Sequence, residues 1–97
     1  MSNGRSEKRV VKAVRVEVSL VDEATHKEKT LTENVSAHGM RVLTQRRFRP
    51  KQQAVVISPS DGVWSRAKVI YCVAVAENRF AVGMELTGRV ESWATAY

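Results

Sequence analysis

Two groups of residues in this chain have the types and the spacing needed to hold an anionic ligand. Arg5 and Arg9 stand four positions apart, so their side chains share one side of the backbone in either a strand or a helix. Downstream, Asn34, Ser36 and Gly39 supply an amide, a hydroxyl and a position without a side chain. A guanidinium binds phosphate oxygens or a guanine edge through two parallel hydrogen bonds. The two groups together indicate a small site for an anionic, guanine-like ligand.

The excess positive charge lies in the half of the chain that carries both groups. Residues 1–51 hold 12 Lys/Arg and 6 Asp/Glu, whereas residues 52–97 hold four of each. An anionic partner is therefore favoured at the first half. The cluster from Arg46 to Lys51 belongs to this half and is either a solvated loop, a secondary ligand contact or a surface for an acidic protein.

The length of 97 residues predicts a single domain with a modest core. The polar start does not resemble a secretory signal, and no apolar run has the length of a membrane span, so we expect a cytoplasmic protein. Cys72 has no partner for an internal disulfide, and its apolar surroundings predict a buried, inert thiol. Trp64 and Trp93 are predicted to be packing residues rather than stacking platforms, and the turn before Trp64 leaves an exposed position open for it.

Alternation of apolar and polar residues predicts short strands over most of the chain. Residues 13–20 and 80–86 alternate strictly, and residues 63–76 are apolar on both faces after Arg66, as in a strand within a closed barrel. Residues 34–39 are predicted to form a tight connection. The remaining predicted strands cover residues 27–35, 40–43 and 53–57, and residues 91–94 allow a short helix. Six strands separated by turn signals predict an all-β fold, a small six-stranded antiparallel (split) barrel with a short C-terminal helix.

These elements, in this order, resemble the PilZ family of bacterial cyclic di-GMP receptors. The two motifs of that family, R-x-x-x-R and D/N-x-S-x-x-G, stand here at residues 5–9 and 34–39. Residues 67–71 and 81–86 look like the last two barrel strands of the family. The resemblance covers residues 5–87.

The resemblance implies a role for each motif residue. Arg5 and Arg9 would wrap the phosphates and guanine edges of cyclic di-GMP, since guanine O6 and N7 are the acceptors that an arginine fork reads best. Asn34 and Ser36 would bond the base and the nearby phosphate, and Gly39 would keep the turn open. Asn34 lacks the charge that an aspartate would bring to the guanine N–H groups.

The motif positions also predict how the chain is organised. Residues 1–9 are expected to form a flexible arm that wraps the ligand and becomes ordered on binding, while residues 10–97 form the barrel domain. Lys8 on the arm and His38 at the rim are expected secondary ligand contacts.

The sequence does not predict catalysis, a metal site or a cofactor. His38 and Ser36 lie in one turn without a third orienting group, and no general base and nucleophile can be paired. His26, His38 and Cys72 lack the spacing of metal ligands.

The leading hypothesis is a cyclic di-GMP receptor that relays the signal to an unidentified downstream protein. A second hypothesis is a PilZ-like adaptor that acts through protein contacts without nucleotide binding. A third is a basic barrel that binds nucleic acid. The aromatic content of 6% disfavours it, because no strand carries a row of aromatic side chains on which bases could stack.

Overall fold

The computed structural model describes residues 7–23 and 25–94. It contains a closed six-stranded antiparallel barrel, one additional short strand and one short helix near the C-terminus. Among the described residues, no helix is both long and apolar enough to span a membrane. The strands are β1 (Val10–Val11), β2 (Arg15–Leu20), β3 (Lys27–Ser36), β4 (Gly39–Thr44), β5 (Gln53–Ser58), β6 (Val63–Ala76) and β7 (Arg79–Leu86), and the helix is α1 (Glu91–Ala94).

Strand β3 closes the barrel because it pairs along both of its edges. The strands run in the order β1-β3-β2-β5-β6-β7-β4, and the pairing of β3 with β4 joins the two ends. On the opposite edge, β3 pairs first with β2 and then with β1. The hydroxyl of Thr32 bridges the break between those two strands: it donates to the Lys12 carbonyl at 2.6 Å and accepts from the Val14 amide at 2.9 Å. The segment between β1 and β2 is thereby held against β3.

The core is built from the inward side chains of all six barrel strands, most of them valine, as the alternation predicted. Helix α1 contributes Trp93, which is fully buried and donates its indole N–H to Asp61 at 2.7 Å. The prediction that Trp93 packs is confirmed. Trp64 does not pack: its side chain is 80% exposed on β6, the alternative that its place after a turn had left open.

The six predicted strands are all present, and three local predictions need correction. Strand β1 was not predicted. The connection at residues 34–39 is shorter than expected, since only Ala37 and His38 lie between β3 and β4. The second half of β6 is not enclosed on both faces: Ile70, Val73 and Val75 are exposed, and Cys72 is only half-buried. The reason is that β6 pairs with β5 only as far as Lys68, so the rest of the strand pairs with β7 alone.

The two tryptophans provide a matched test of this packing. Trp93→Ala should lower the free energy of unfolding by about 3–5 kcal/mol, because it removes a fully buried side chain and leaves Asp61 without its donor. Trp64→Ala should change it by less than about 0.5 kcal/mol. Urea unfolding followed by circular dichroism measures both, and equal losses would contradict the assignment of Trp93 to the core.

Candidate functional site

A bulge in β3 directs the polar motif residues to the outside of the barrel. The register of β3 against β4 shifts between Thr32 and Asn34, so that Glu33 is an extra residue. Without it, Asn34 would take the inward position that Val35 occupies with full burial. Instead Asn34 pairs with Arg41, and Ser36 pairs with Gly39, on the outer face.

A second register shift, in β6 at Ile70, turns Tyr71 outward onto the same face. Tyr71 pairs with Gly83 of β7, and its ring lies directly on that glycine: a Cβ at position 83 would stand 2.2 Å from a ring carbon. Gly83 in turn pairs with Arg41 of β4. The outer faces of four neighbouring strands thus bring Asn34, Arg41 and Tyr71 into one row.

Arg9 connects the two sequence motifs. Its Nη1 donates to the Asn34 Oδ1 at 3.0 Å. A Cβ on Gly39 would stand 3.3 Å from Arg9 Nη2, 3.3 Å from Ser36 Oγ and 3.2 Å from the Met84 carbonyl oxygen. A side chain at position 39 would press against these groups, so Gly39 eases their close approach, and its backbone does not need the left-handed conformation.

The Glu7 carboxylate occupies a cluster of hydrogen-bond donors beside Arg9. Its Oε1 accepts from the Ser36 hydroxyl at 3.3 Å and from the His38 amide at 3.1 Å, and its Oε2 lies 2.5 Å from His38 Nδ1. The hydrogen bond with the His38 side chain, helped by the His38 amide and by Ser36, outweighs partial desolvation and lowers the pKa of Glu7. We call Ser36 Oγ, the His38 amide and His38 Nδ1 the anion seat.

Tyr71 is held in place by a polar chain across the sheet. Arg41 Nε donates to the Glu33 carboxylate at 2.8 Å, and Arg41 Nη1 donates to the Tyr71 hydroxyl at 3.1 Å. The hydrogen bond with Glu33 raises the pKa of the Arg41 guanidinium most, and the one with Tyr71 raises it further. The extra residue of the β3 bulge therefore also fixes the orientation of the aromatic ring.

These groups surround a cleft of about 360 Å³. This volume lies at the lower end of the range for small-molecule sites. Ile70, Tyr71 and Glu85 line it opposite the arm. A larger cleft of about 550 Å³ lies elsewhere, between β2, β3 and Pro59, and it contains none of the predicted site residues. The smaller cleft is the better candidate, because the convergent polar groups lie there.

The described structure brings together most of the site predicted from the sequence. Lys8 is exposed and does not line the cleft, whereas Arg5 lies outside the described residues. The predicted residues Arg9, Ser36, His38 and Gly39 line the cleft. Asn34 does not line it and is joined to it through the hydrogen bond with Arg9.

Sequence reasoning missed Glu7, Glu33, Arg41 and Tyr71. Glu7 stands between the two motif arginines, and a carboxylate inside a basic motif is a signal that could have drawn attention to it. The other three carried no readable signal, because their positions depend on the two register shifts.

The comparisons with known proteins bear on the fold. No family model matches the chain, and no curated protein matches it. Among solved structures, the Bacillus subtilis inhibitor of motility (MotI/DgrA) is similar, with a TM-score of 0.73 and 15% sequence identity over 96% of this chain. The two chains share a fold. The chain spans about half of that protein's length, 49%, and the likeness concerns the barrel fold alone.

The lowered pKa of Glu7 predicts how its contact depends on pH. Because the folded-state pKa lies below the ordinary value of 4.5, the contact stabilises the folded chain above that pH and is lost as the pH falls through the lowered value. A carboxyl-detected NMR titration should show Glu7 titrating below 4.5 in the native protein. In His38→Ala the value should return toward 4.5, and an unchanged titration would contradict the contact.

Proposed function

We propose that this chain is a PilZ-like receptor that binds cyclic di-GMP in the cleft and relays the signal to a partner protein. The observation that carries the proposal is the contact of Arg9 with Asn34 beside Gly39 and Ser36, since it joins both sequence motifs at one place. The shared fold with MotI/DgrA supports it. The protein would act in the bacterial cytoplasm, without a cofactor and without catalysis.

Each group of the cleft has a role that fits this ligand. Arg9 reads a guanine edge or a phosphate oxygen, and Asn34 bonds the base. Ser36 and His38 receive a phosphate in the anion seat. Tyr71, which is 36% exposed, offers its ring for stacking against a guanine.

Binding would change the surface that a partner meets. Arg9 and Glu7 hold the described part of the arm against the barrel, and both contact groups that the ligand would use. A bound nucleotide would replace these contacts and reposition the arm, so the relay consists of two arm positions with different affinity for a partner.

Calorimetric titration of cyclic di-GMP tests the proposal directly. The native chain should bind, and Arg9→Ala should bind at least about 10-fold more weakly, because a charge-assisted hydrogen bond to the ligand is lost. Arg15→Ala is the matched control: it removes the same charge from an exposed position on β2 and should retain the affinity within about twofold.

Absence of heat with the native chain at high micromolar concentration would sink the receptor proposal. Equal losses in Arg9→Ala and Arg15→Ala would instead show that only the overall charge matters. A steep decline of affinity with salt would point to the nucleic-acid alternative.

Tyr71 provides a second prediction. Tyr71→Ala should weaken cyclic di-GMP binding about 5- to 150-fold, which corresponds to the ~1–3 kcal/mol of one base–aromatic stack. Tyr71→Phe keeps the ring and loses only the bond from Arg41, so its loss should be much smaller. If the two variants lose affinity equally, the hydroxyl rather than the ring is the contact.

One observation favours the alternative of an adaptor without nucleotide. Glu7 already fills the anion seat, so a chain that never releases it would act through protein contacts alone. The titration of the native chain separates the two functions.

A further inference from the structure

The anion seat is composed of donors that suit a phosphate as well as a carboxylate. A hydroxyl, a backbone amide and an imidazole nitrogen converge on the two oxygens of Glu7. Hydrogen bonds from such donors to an ionised oxygen are the strong ones, and a protonated imidazole adds charge to them. Two oxygens of a phosphodiester have the same charge and a comparable spacing.

The Glu7 carboxylate is held by hydrogen bonds with Ser36 and His38 and not by an ion pair with the nearby arginine. Arg9, two residues along the arm, bonds to Asn34 instead of to Glu7. The Glu7 side chain is 28% exposed, and its two oxygens hydrogen-bond with Ser36 and His38. An internal anion therefore sits where the two motifs prepare a place for an external one.

We propose that Glu7 is a built-in competitor for the anion seat, which an incoming phosphate group must displace from Ser36 and His38. Residue 7 thereby sets the affinity of the cleft for phosphate-bearing ligands. That the natural ligand is cyclic di-GMP rests on the proposed function; the competition itself does not.

The competition has a pH dependence that follows from the chemistry of the two anions. Acid protonates Glu7, whereas a phosphodiester stays ionised, so the affinity of the native chain should rise as the pH falls below 4.5 and through the lowered pKa of Glu7. The other charged or titratable groups around His38 are Arg9, Lys68, Tyr71 and Glu85. Because Glu85 lines the cleft, the control is Glu77, an exposed carboxylate in the turn between β6 and β7 that does not line it.

The test uses the full chain with Glu7→Ala, Glu7→Gln and Glu77→Gln, and with two probes, cyclic di-GMP and pyrophosphate. At pH 7, Glu7→Ala should bind each probe about 10-fold more tightly than the native chain, because hydrogen bonds to the internal carboxylate no longer compete. Glu7→Gln should gain less, since its amide oxygen still accepts from the seat. Glu77→Gln removes the same charge outside the cleft and should change affinity by less than about threefold. The pH dependence should be flatter in both Glu7 variants.

Amide NMR shifts locate the probe and separate the two proposals. Tighter pyrophosphate binding by Glu7→Ala, with shifts at Ser36 and His38 but no binding of cyclic di-GMP by any variant, would support the competitor and reject the proposed function. Strong binding of cyclic di-GMP that is unchanged in Glu7→Ala would keep the function and overturn the competitor. Failure of both probes to bind Glu7→Ala would overturn it as well, because the seat would then hold no external anion.

Discussion

The closure of the barrel through β3 is the constraint on which the site depends. The six-stranded barrel has no free sheet edge because β3 forms hydrogen bonds with β4 along one side and with β2 and β1 along the other. The extra residue Glu33 is inserted within that pairing. Its insertion exchanges the faces of the residues that follow, so that Val35 enters the core and Asn34 faces outward. The same pairing of β3 with β4 therefore closes the barrel and places the polar motif residues on its outer face.

The site combines small residues with charged ones for a steric reason. Tyr71 approaches the barrel wall so closely that a Cβ at position 83 would overlap its ring, and a Cβ at position 39 would press against Arg9 and Ser36. The charged groups bond to polar neighbours, Arg9 to Asn34 and Arg41 to Glu33. Such paired groups are pre-positioned, because side chains that are already ordered lose less entropy on binding.

The sequence predicted the strands because alternation was strong where one face is buried, as in Arg15–Leu20 and Arg79–Leu86. It failed at β6, where apolar residues on both faces implied enclosure. The pairing of β6 with β5 instead ends at Lys68. The valines beyond that point favour a strand because they are β-branched, although their side chains are exposed. The motif spacing predicted that Arg9, Asn34, Ser36 and Gly39 would meet. It did not predict Arg41 or Tyr71, because a register shift is a property of two paired strands and not of one sequence segment.

Gly83 has no functional group, lies beneath the Tyr71 ring, and is buried two strands away from the polar motif. Yet it determines the depth of the cleft, because the ring that rests on it forms the wall facing the arm. Any side chain at this position would lift the ring toward the arm and narrow the cleft while the polar groups kept their places. The dimensions of the cleft therefore depend on a residue that has no reactive group. Across relatives with this barrel, the size of residue 83 would report how large a ligand the cleft admits.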